Sequence, residues 1–396
     1  MLPMRPTRPD PAPRPTAPDT KAGAHRRSRP RTRAVVVIAG ACAVTAVAGT
    51  AAIASSGGVA YGAAGPTTTA TRTIRATVRP AAEPRLSTGQ MLVQLAWGAE
   101  AGQVGLQAPG QGLARGPEAL AVAGDGRIAI LDGVNRRLVL LDEGGAPTGS
   151  IPVSLASPRF LTVDDEHLYV ADAESDRRVC AWDWQGRSVG SQALPPLDEP
   201  VTGLLLRGDQ VLVETGHDQI YPLDIAGVVG GPGAVATNAN AAALAPSGAP
   251  VAPLPDKGRP LDRGGAHAAE AERTPGGPVH VRLRDRSDPG TLTDLELALP
   301  EPIEHIVSLD GDEGGDVVIG VRLLRRGGAA PPAPLAVTRI PAGDRSGTQT
   351  VLFGDTSFVY VGQPYVVAPD GRVYQPIATP TGYRIVVHEF PRGVTR

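Results

Sequence analysis

The feature that most constrains this chain is a pattern of short apolar runs and Gly/Asp turns that recurs along it. In the segment GPEALAVAGDGRIAILDGVNRRLVLLDEGGAPTGSIPVSL, residues 116–155, apolar runs of four or five residues alternate with turns every eight to ten residues. Asp125-Gly126 suits a tight hairpin because glycine tolerates a positive φ. The segment therefore predicts a meander of four short antiparallel strands.

Further copies of this pattern follow. The second begins at Pro158 and has Arg178 where the first has Arg137, a period of 41 residues. Later copies open at Pro200, Pro302 and Pro364. A four-stranded sheet cannot bury both of its faces alone, and periods near 40 residues in all-β chains are typical of sheets stacked radially into a ring. We predict an all-β propeller of about six four-stranded blades, with five or seven as alternatives.

The sixth copy is expected between Gly230 and Pro300, where the pattern is weakest. There, AAALAPSGAPVAPL (241–254) is a candidate inner hairpin, while PVHVRLRD and TLTDLELAL are candidates for the outer one. The polar residues between them, near 255–277, are predicted to be a disordered insertion. Ring closure needs a strand from the amino-terminal side, and QMLVQLAW, Gln90 to Trp97, stands where that strand is required. The propeller domain is thus predicted over residues 89–396.

Composition and charge narrow the function classes. The 49 Gly and 40 Pro residues disfavour long helices and favour short elements joined by turns. After Arg85 the chain holds 25 basic and 37 acidic residues, a net charge of −12. Because nucleic-acid binding usually rests on Lys and Arg neutralising phosphates, this acidic body argues against a nucleic-acid partner.

The amino-terminal region predicts a targeting signal and a membrane anchor. Residues 1–33 are rich in Pro and Arg and are expected to be a disordered cytoplasmic tail. Residues 34–54 contain no charge and are long enough for a transmembrane helix, and the arginines before them orient the body outside the cytoplasm. A cleaved signal peptide is the alternative, because Ala52-Ile53-Ala54 suits signal peptidase. Residues 55–88 are predicted to be a flexible linker.

The first copy and the segment before it resemble the NHL-repeat family of β-propellers. WGAEAGQVG (97–105) is similar to the Gly-rich lead-in of that family, and DGVNRRLVLLD (132–142) to its Asp-x-x-Asn-x-Arg turn and third strand. The second copy keeps the turn as DAESDRRV (172–179), whereas later copies have Thr215, Val321 and Ile377 at the aspartate position. The resemblance implies the fold, but no activity, because the family includes both binding scaffolds and enzymes.

Candidate ligand-binding residues follow from the repeat. The residue after each repeat-opening proline is expected to face the central channel near one end. These residues are Glu118, Arg159, Val201, Ile303 and Tyr365. Asp132 and Asp172 should lie at the same end, although hydrogen bonds to the backbone of their own turns are the favoured role for them, and His305 is a further candidate. Loops gathered around a channel mouth are the usual place for a propeller ligand.

No motif indicates catalysis. The seven histidines form no HExxH motif and no close pair, so no zinc site is predicted and no cofactor is expected. DGDEGGD, Asp310 to Asp316, has the acidity of a Ca²⁺ loop but not the EF-hand spacing, and a solvated turn is favoured. We expect a membrane-anchored, extracytoplasmic binding or scaffold module for a protein, peptide or envelope polymer. The alternative is a metal-dependent propeller hydrolase or lyase with its site at the channel mouth.

Overall fold

The computed structural model describes most of the chain after residue 71. The described residues are 72–108, 114–217, 219–223, 225, 259–262, 266–273, 278–285, 288–324, 334–343, 345–354 and 362–390. Within them the secondary structure consists of 25 strands and one turn of 3-10 helix, Arg345–Gly347. No helix in this part of the chain has the length and apolarity to cross a bilayer. The predicted tail 1–33 and span 34–54 lie outside the described residues.

The strands form six sheets, which are the blades of a propeller. Three strands precede the first repeat: β1 (Arg72–Val78), β2 (Arg85–Leu86) and β3 (Gln90–Leu95). Blade 1 contains β4 (Ala119–Val122), β5 (Ile128–Asp132), β6 (Arg137–Leu141) and β7 (Pro147–Pro152). Blade 2 contains β8 (Phe160–Val163), β9 (His167–Asp172), β10 (Arg178–Asp183) and β11 (Ser188–Ala193). Both are antiparallel meanders, as the repeat predicts.

The other four blades vary this plan. Blade 3 has three strands in the described residues, β12 (Val201–Arg207), β13 (Gln210–Thr215) and β14 (Gln219–Leu223). Blade 4 contains β15 (Arg259–Pro260), β16 (His267–Arg273), β17 (Val279–Asp285) and β18 (Asp288–Leu297). Blade 5 contains β19 (Ile303–Gly311), β20 (Val317–Leu323), β21 (Leu335–Ile340) and β22 (Gln349–Phe353). Blade 6 contains β23 (Val366–Val367), β24 (Val373–Thr379) and β25 (Gly382–His388).

The ring is closed by the strand that the sequence predicts for this purpose. β3 pairs antiparallel with β25, so residues from both sides of the repeat array form the outer edge of blade 6. Leu95 is 3% exposed and packs with Tyr383 and Ile385 of β25 and with Leu120 of blade 1. The amino-terminal side of the domain thereby holds the last blade against the first.

Two parts of the predicted linker and insertion are ordered strands. β1 lies within the segment predicted to be a flexible linker, yet it pairs in parallel with β18 as a fifth strand of blade 4, and β2 pairs in parallel with β22 of blade 5. The inner hairpin of blade 4 is β15–β16, inside the predicted insertion. The candidate hairpin 241–254 lies outside the described residues. The sequence analysis missed β1, β2, β15 and β16 because they are polar on one face or very short.

The core lies between the blades. In β5, Ile128 and Ile130 pack towards blade 6, whereas Ala129 and Leu131 pack towards blade 2, and all four are fully buried. Burial on both faces explains why the inner strands are continuously apolar instead of alternating. Comparable apolar layers join blades 2 and 3, blades 4 and 5, and blades 5 and 6. This packing fixes the inner strands around a central channel.

Candidate functional site: the channel mouth

A cavity of about 430 Å³ occupies the end of the channel where the inner strands begin, and residues from all six blades line it. We call it the mouth. Its acidic and basic side chains, histidine included, are Glu118, Arg159, Glu214, His217, Arg259 and Asp310. A smaller cavity of about 140 Å³ lies at the ends of the same strands and shares Asp310 with the mouth. The mouth has the size of an ordinary small-ligand site.

Three predicted residues line the mouth. Glu118 is buried and forms an ion pair with Arg115, while Arg159 forms one with Glu174 at 3.1 Å between Nη1 and Oε1. Tyr365 is 2% exposed, and its hydroxyl accepts a hydrogen bond from Ser308. Burial raises the pKa of Tyr365, so its hydroxyl stays protonated. In blades 1, 2 and 6, the residue after the repeat-opening proline therefore reaches the channel.

Asp132 and Asp172 lie at the same end of their blades as the mouth, as predicted, but they do not line the cavity. Both are fully buried in turns between the second and third strands of their blades. Asp132 accepts hydrogen bonds from the Gly105 and Asn135 amides at 3.1 and 3.2 Å, and Arg137 lies 3.3 Å from its Oδ2. These carboxylates do not face the cavity, because they point into the turn backbone and tie it to the preceding segment. The alternative role in the turns fits this geometry.

Asp172 shows the electrostatic result of such a turn. Burial alone would raise the pKa of its carboxyl, but hydrogen bonds from the amides of Ser157, Ser175, Asp176 and Glu174 outweigh burial and lower the pKa. The donors at Ser157 and Ser175 lie 2.7 and 2.8 Å from its oxygens. Asp172 therefore stays ionised and serves as a structural acceptor.

His305, Val201 and Ile303 also lie outside the mouth. His305 is half exposed on β19, and its Nδ1 is 3.9 Å from Glu304. β19 has nine residues, about twice the length of β4, so its cavity-lining stretch is Ile306 to Asp310 and begins four residues after Pro302. In blade 3 a bulge between Val201 and Gly203 makes Thr202 the lining residue. In these two blades, the residue after the repeat-opening proline is therefore not the one that lines the channel.

Glu214 is a lining residue that sequence reasoning missed. It belongs to β13, the second strand of blade 3, and reaches the channel past Gly203 on the inner strand. A Cβ at position 203 would lie 2.8 Å from Glu214 Oε2, so the glycine provides the space for this carboxylate. Glu214 is 2% exposed and accepts a hydrogen bond, at 3.1 Å, from the Thr202 hydroxyl. The glycine opposite a glutamate is the signal that could have identified it.

Arg259 and Asp310 form the second missed feature. Arg259 Nη2 lies 3.3 Å from Asp310 Oδ1, and the buried Nε of Arg259 has no hydrogen-bond partner among the described residues. Burial raises the pKa of Asp310, and the negative charge of Glu214 adds to the rise, while Arg259 opposes it. Glu214, Arg259 and Asp310 thus form one interacting group of charges inside the mouth.

His217 stands at the rim beside this group. Its backbone has φ of 66°, in the left-handed region that only a few per cent of non-glycine residues adopt. Its Nδ1 is 3.9 Å from Glu214 Oε2, and its amide donates to the Thr202 hydroxyl at 3.1 Å. Arg136 and Arg177 have φ of 52° and 48° in the corresponding turns of blades 1 and 2, so this conformation belongs to the repeat.

The acidic segment from Asp310 to Asp316 divides between two environments. Asp310 faces the channel, whereas Asp312 and Asp316 lie 3.0 and 2.6 Å from Arg339. The segment is therefore only in part the solvated turn that was predicted, because Asp310 lines the channel. In the described part of the chain, no group of three His, Cys, Asp or Glu side chains comes together in a way that could hold a metal ion.

Comparison with known proteins finds similarity to solved structures and no match to a family or a curated protein. No family model matches the chain, and no curated protein matches it. Hydrazine synthase of Kuenenia stuttgartiensis is similar in structure, with 16% identity, a TM-score of 0.40, and coverage of 65% of this chain and 72% of that one. Streptogramin B lyase is similar with 12% identity, a TM-score of 0.37, and coverage of 69% and 93%. At these values the similarity carries no argument about activity.

Proposed function

We propose that this chain is an NHL-like propeller, held at the outer face of a membrane by residues 34–54, whose channel mouth binds a segment of a protein, a peptide or an envelope polymer. The observation that carries the proposal is the buried charge at the mouth. Charged groups are costly to bury unless their partners are complete, and Arg259 Nε has no partner among the described residues. A ligand that supplies the missing partner explains why such groups are kept there.

Binding is favoured over the alternative of a metal-dependent hydrolase or lyase. That alternative needs a set of metal ligands at the mouth, and the described residues bring none together. The site contains ion pairs arranged around an open volume, which suits recognition of a charged ligand. Metal bound stoichiometrically to the purified full chain, together with loss of folding stability on chelation, would support the alternative instead.

Photo-crosslinking of the full chain in its native membrane tests the proposal. Arg159, at the mouth, is replaced by p-benzoylphenylalanine; the matched control carries the same replacement at Arg282, on strand β17 away from the mouth. We expect a discrete crosslinked product from position 159 that is absent from position 282. No product from position 159, or identical products from both positions, would contradict binding at the mouth.

A further inference from the structure

We propose that the mouth recognises an alkylammonium group, such as a lysine side chain or the amino terminus of a peptide. This inference rests on the proposed function and names the chemistry of its ligand. Three carboxylates and two guanidinium groups line the cavity. With these five groups ionised, one negative charge is in excess.

The excess charge is carried by Glu214 and Asp310. Glu118 and Arg159 have their own partners, Arg115 and Glu174, so these two pairs cancel. The remaining charges are Glu214 and Asp310, which share the single guanidinium group of Arg259. Asp310 holds Arg259 directly at 3.3 Å. Among the described residues, no Lys or Arg nitrogen comes within 4.0 Å of Glu214, and its nearest basic atom is His217 Nδ1 at 3.9 Å.

The position of Glu214 suits the capture of a cation. Its carboxylate is almost completely buried, and its one hydrogen-bond donor among the described residues is the Thr202 hydroxyl, which uses only part of its capacity to accept. An ionised carboxylate in such a place is stable when a cation neutralises it. An ammonium group supplies both the charge and three hydrogen-bond donors.

The other walls of the mouth fit the rest of such a ligand. Phe160 and Tyr365 line the cavity and provide apolar surface for a methylene chain, and aromatic faces attract an ammonium ion. A lysine side chain carries both parts, an ammonium group and a methylene chain. The negative excess disfavours an anionic ligand.

Titration calorimetry of the detergent-solubilised full chain tests this inference with four probes. Nα-acetyl-lysine methylamide and Ala-Ala methylamide carry the ammonium group, on a side chain and at an amino terminus respectively. Nα-acetyl-norleucine methylamide is the uncharged control, and Nα-acetyl-glutamate methylamide is the anionic control. We expect at least one ammonium probe to bind about tenfold or more tightly than either control.

Glu214→Gln should reduce binding of the preferred ammonium probe by about tenfold or more, because it removes the charge while keeping the shape. Glu143→Gln, a matched change in an exposed turn, should leave binding within about twofold. If Glu214→Gln does not fold, Asp310→Asn removes the same excess charge and should have the same effect.

The outcomes separate this inference from the proposed function. Equal binding of the norleucine probe, preference for the glutamate probe, or no binding of any probe overturns recognition of an ammonium group. Unchanged affinity in a folded Glu214→Gln variant does the same. A discrete crosslink from position 159 in any of these cases leaves the proposed function standing, with a ligand of different chemistry. Loss of that crosslink contradicts the proposed function itself.

Discussion

At the level of single residues, the buried charges of this propeller fall into two groups. Asp132 and Asp172 have complete sets of backbone donors and hold turns in place. Glu214 and Arg259 line the mouth instead; among the described residues, Glu214 accepts a hydrogen bond from Thr202 and Arg259 Nε has no partner. The first group is expected to matter for stability and the second for binding.

Replacement of Asp172 tests the structural role. Asp172→Asn keeps the shape but exchanges one acceptor oxygen for a donor that faces the amides of the turn. We expect the free energy of unfolding to fall by about 1–3 kcal/mol, measured by urea denaturation of the purified full chain. Crosslinking from position 159 should persist. A change below about 0.5 kcal/mol would show that the turn does not depend on this carboxylate.

His388 gives the fold a dependence on pH. Burial lowers the pKa of its imidazole to about 4, while Ser87 Oγ lies 2.6 Å from Nδ1 and Gln375 Oε1 lies 3.1 Å from Nε2. The unfolded chain takes up a proton below about pH 6.5, but the folded chain resists it until about pH 4. Stability should therefore fall as pH decreases across this window, and this residue adds no further loss below it.

The expected loss from His388 alone is about 3 kcal/mol between pH 7.5 and pH 4. Thermal unfolding of wild type and His388→Asn over this range isolates the contribution, because the other histidines titrate in both proteins. The decrease should be smaller in the variant by about that amount. Parallel pH profiles of the two proteins would contradict a neutral, buried His388.

At the level of elements, the strand that closes the ring makes the sharpest prediction. Leu95 and Met91 both belong to β3, but Leu95 is 3% exposed and Met91 is 57% exposed. Leu95→Ala should lower the free energy of unfolding by about 2–4 kcal/mol, because it leaves a cavity between blades 6 and 1. Met91→Ala should change it by less than about 0.5 kcal/mol. Similar effects in chemical denaturation would show that β3 does not seal the ring.

The elements that could be predicted are those with the strongest physical signal. Blades 1 and 2 follow from apolar runs buried on both faces and from Gly/Asp turns at regular spacing. β16, with the sequence HAAEAER, and β1, with RTIRATV, have no comparable signal, because they are largely polar. Their strand structure depends on pairing with β17 and β18, which are distant in sequence in the case of β1.

The residues of the mouth also divide into those that the repeat predicts and those that it does not. Glu118, Arg159 and Tyr365 could be placed at the mouth because they stand at the start of inner strands. Glu214 enters from a second strand through the gap at Gly203, and Asp310 enters from the end of a long inner strand. Neither position follows from the repeat, because each depends on a local departure from it.

At the level of the whole molecule, closure of the ring creates a channel with two different ends. The mouth contains the incomplete charges, and the opposite end contains turns such as 124–127 and 312–316, whose carboxylates have backbone or arginine partners. Binding should therefore affect one end only.

Cys180 is half buried against the layer between blades 1 and 2, and burial raises its thiol pKa to about 11, in keeping with a packing role.

Hydrogen–deuterium exchange of the full chain, with and without the partner captured at position 159, tests this central claim most directly. The account predicts slower exchange in peptides that contain 159–161, 202–204 and 306–308, which line the mouth. Exchange in the turns 124–127 and 312–316 should stay unchanged. Protection confined to those turns, or to the outer strands, would contradict the mouth as the binding site.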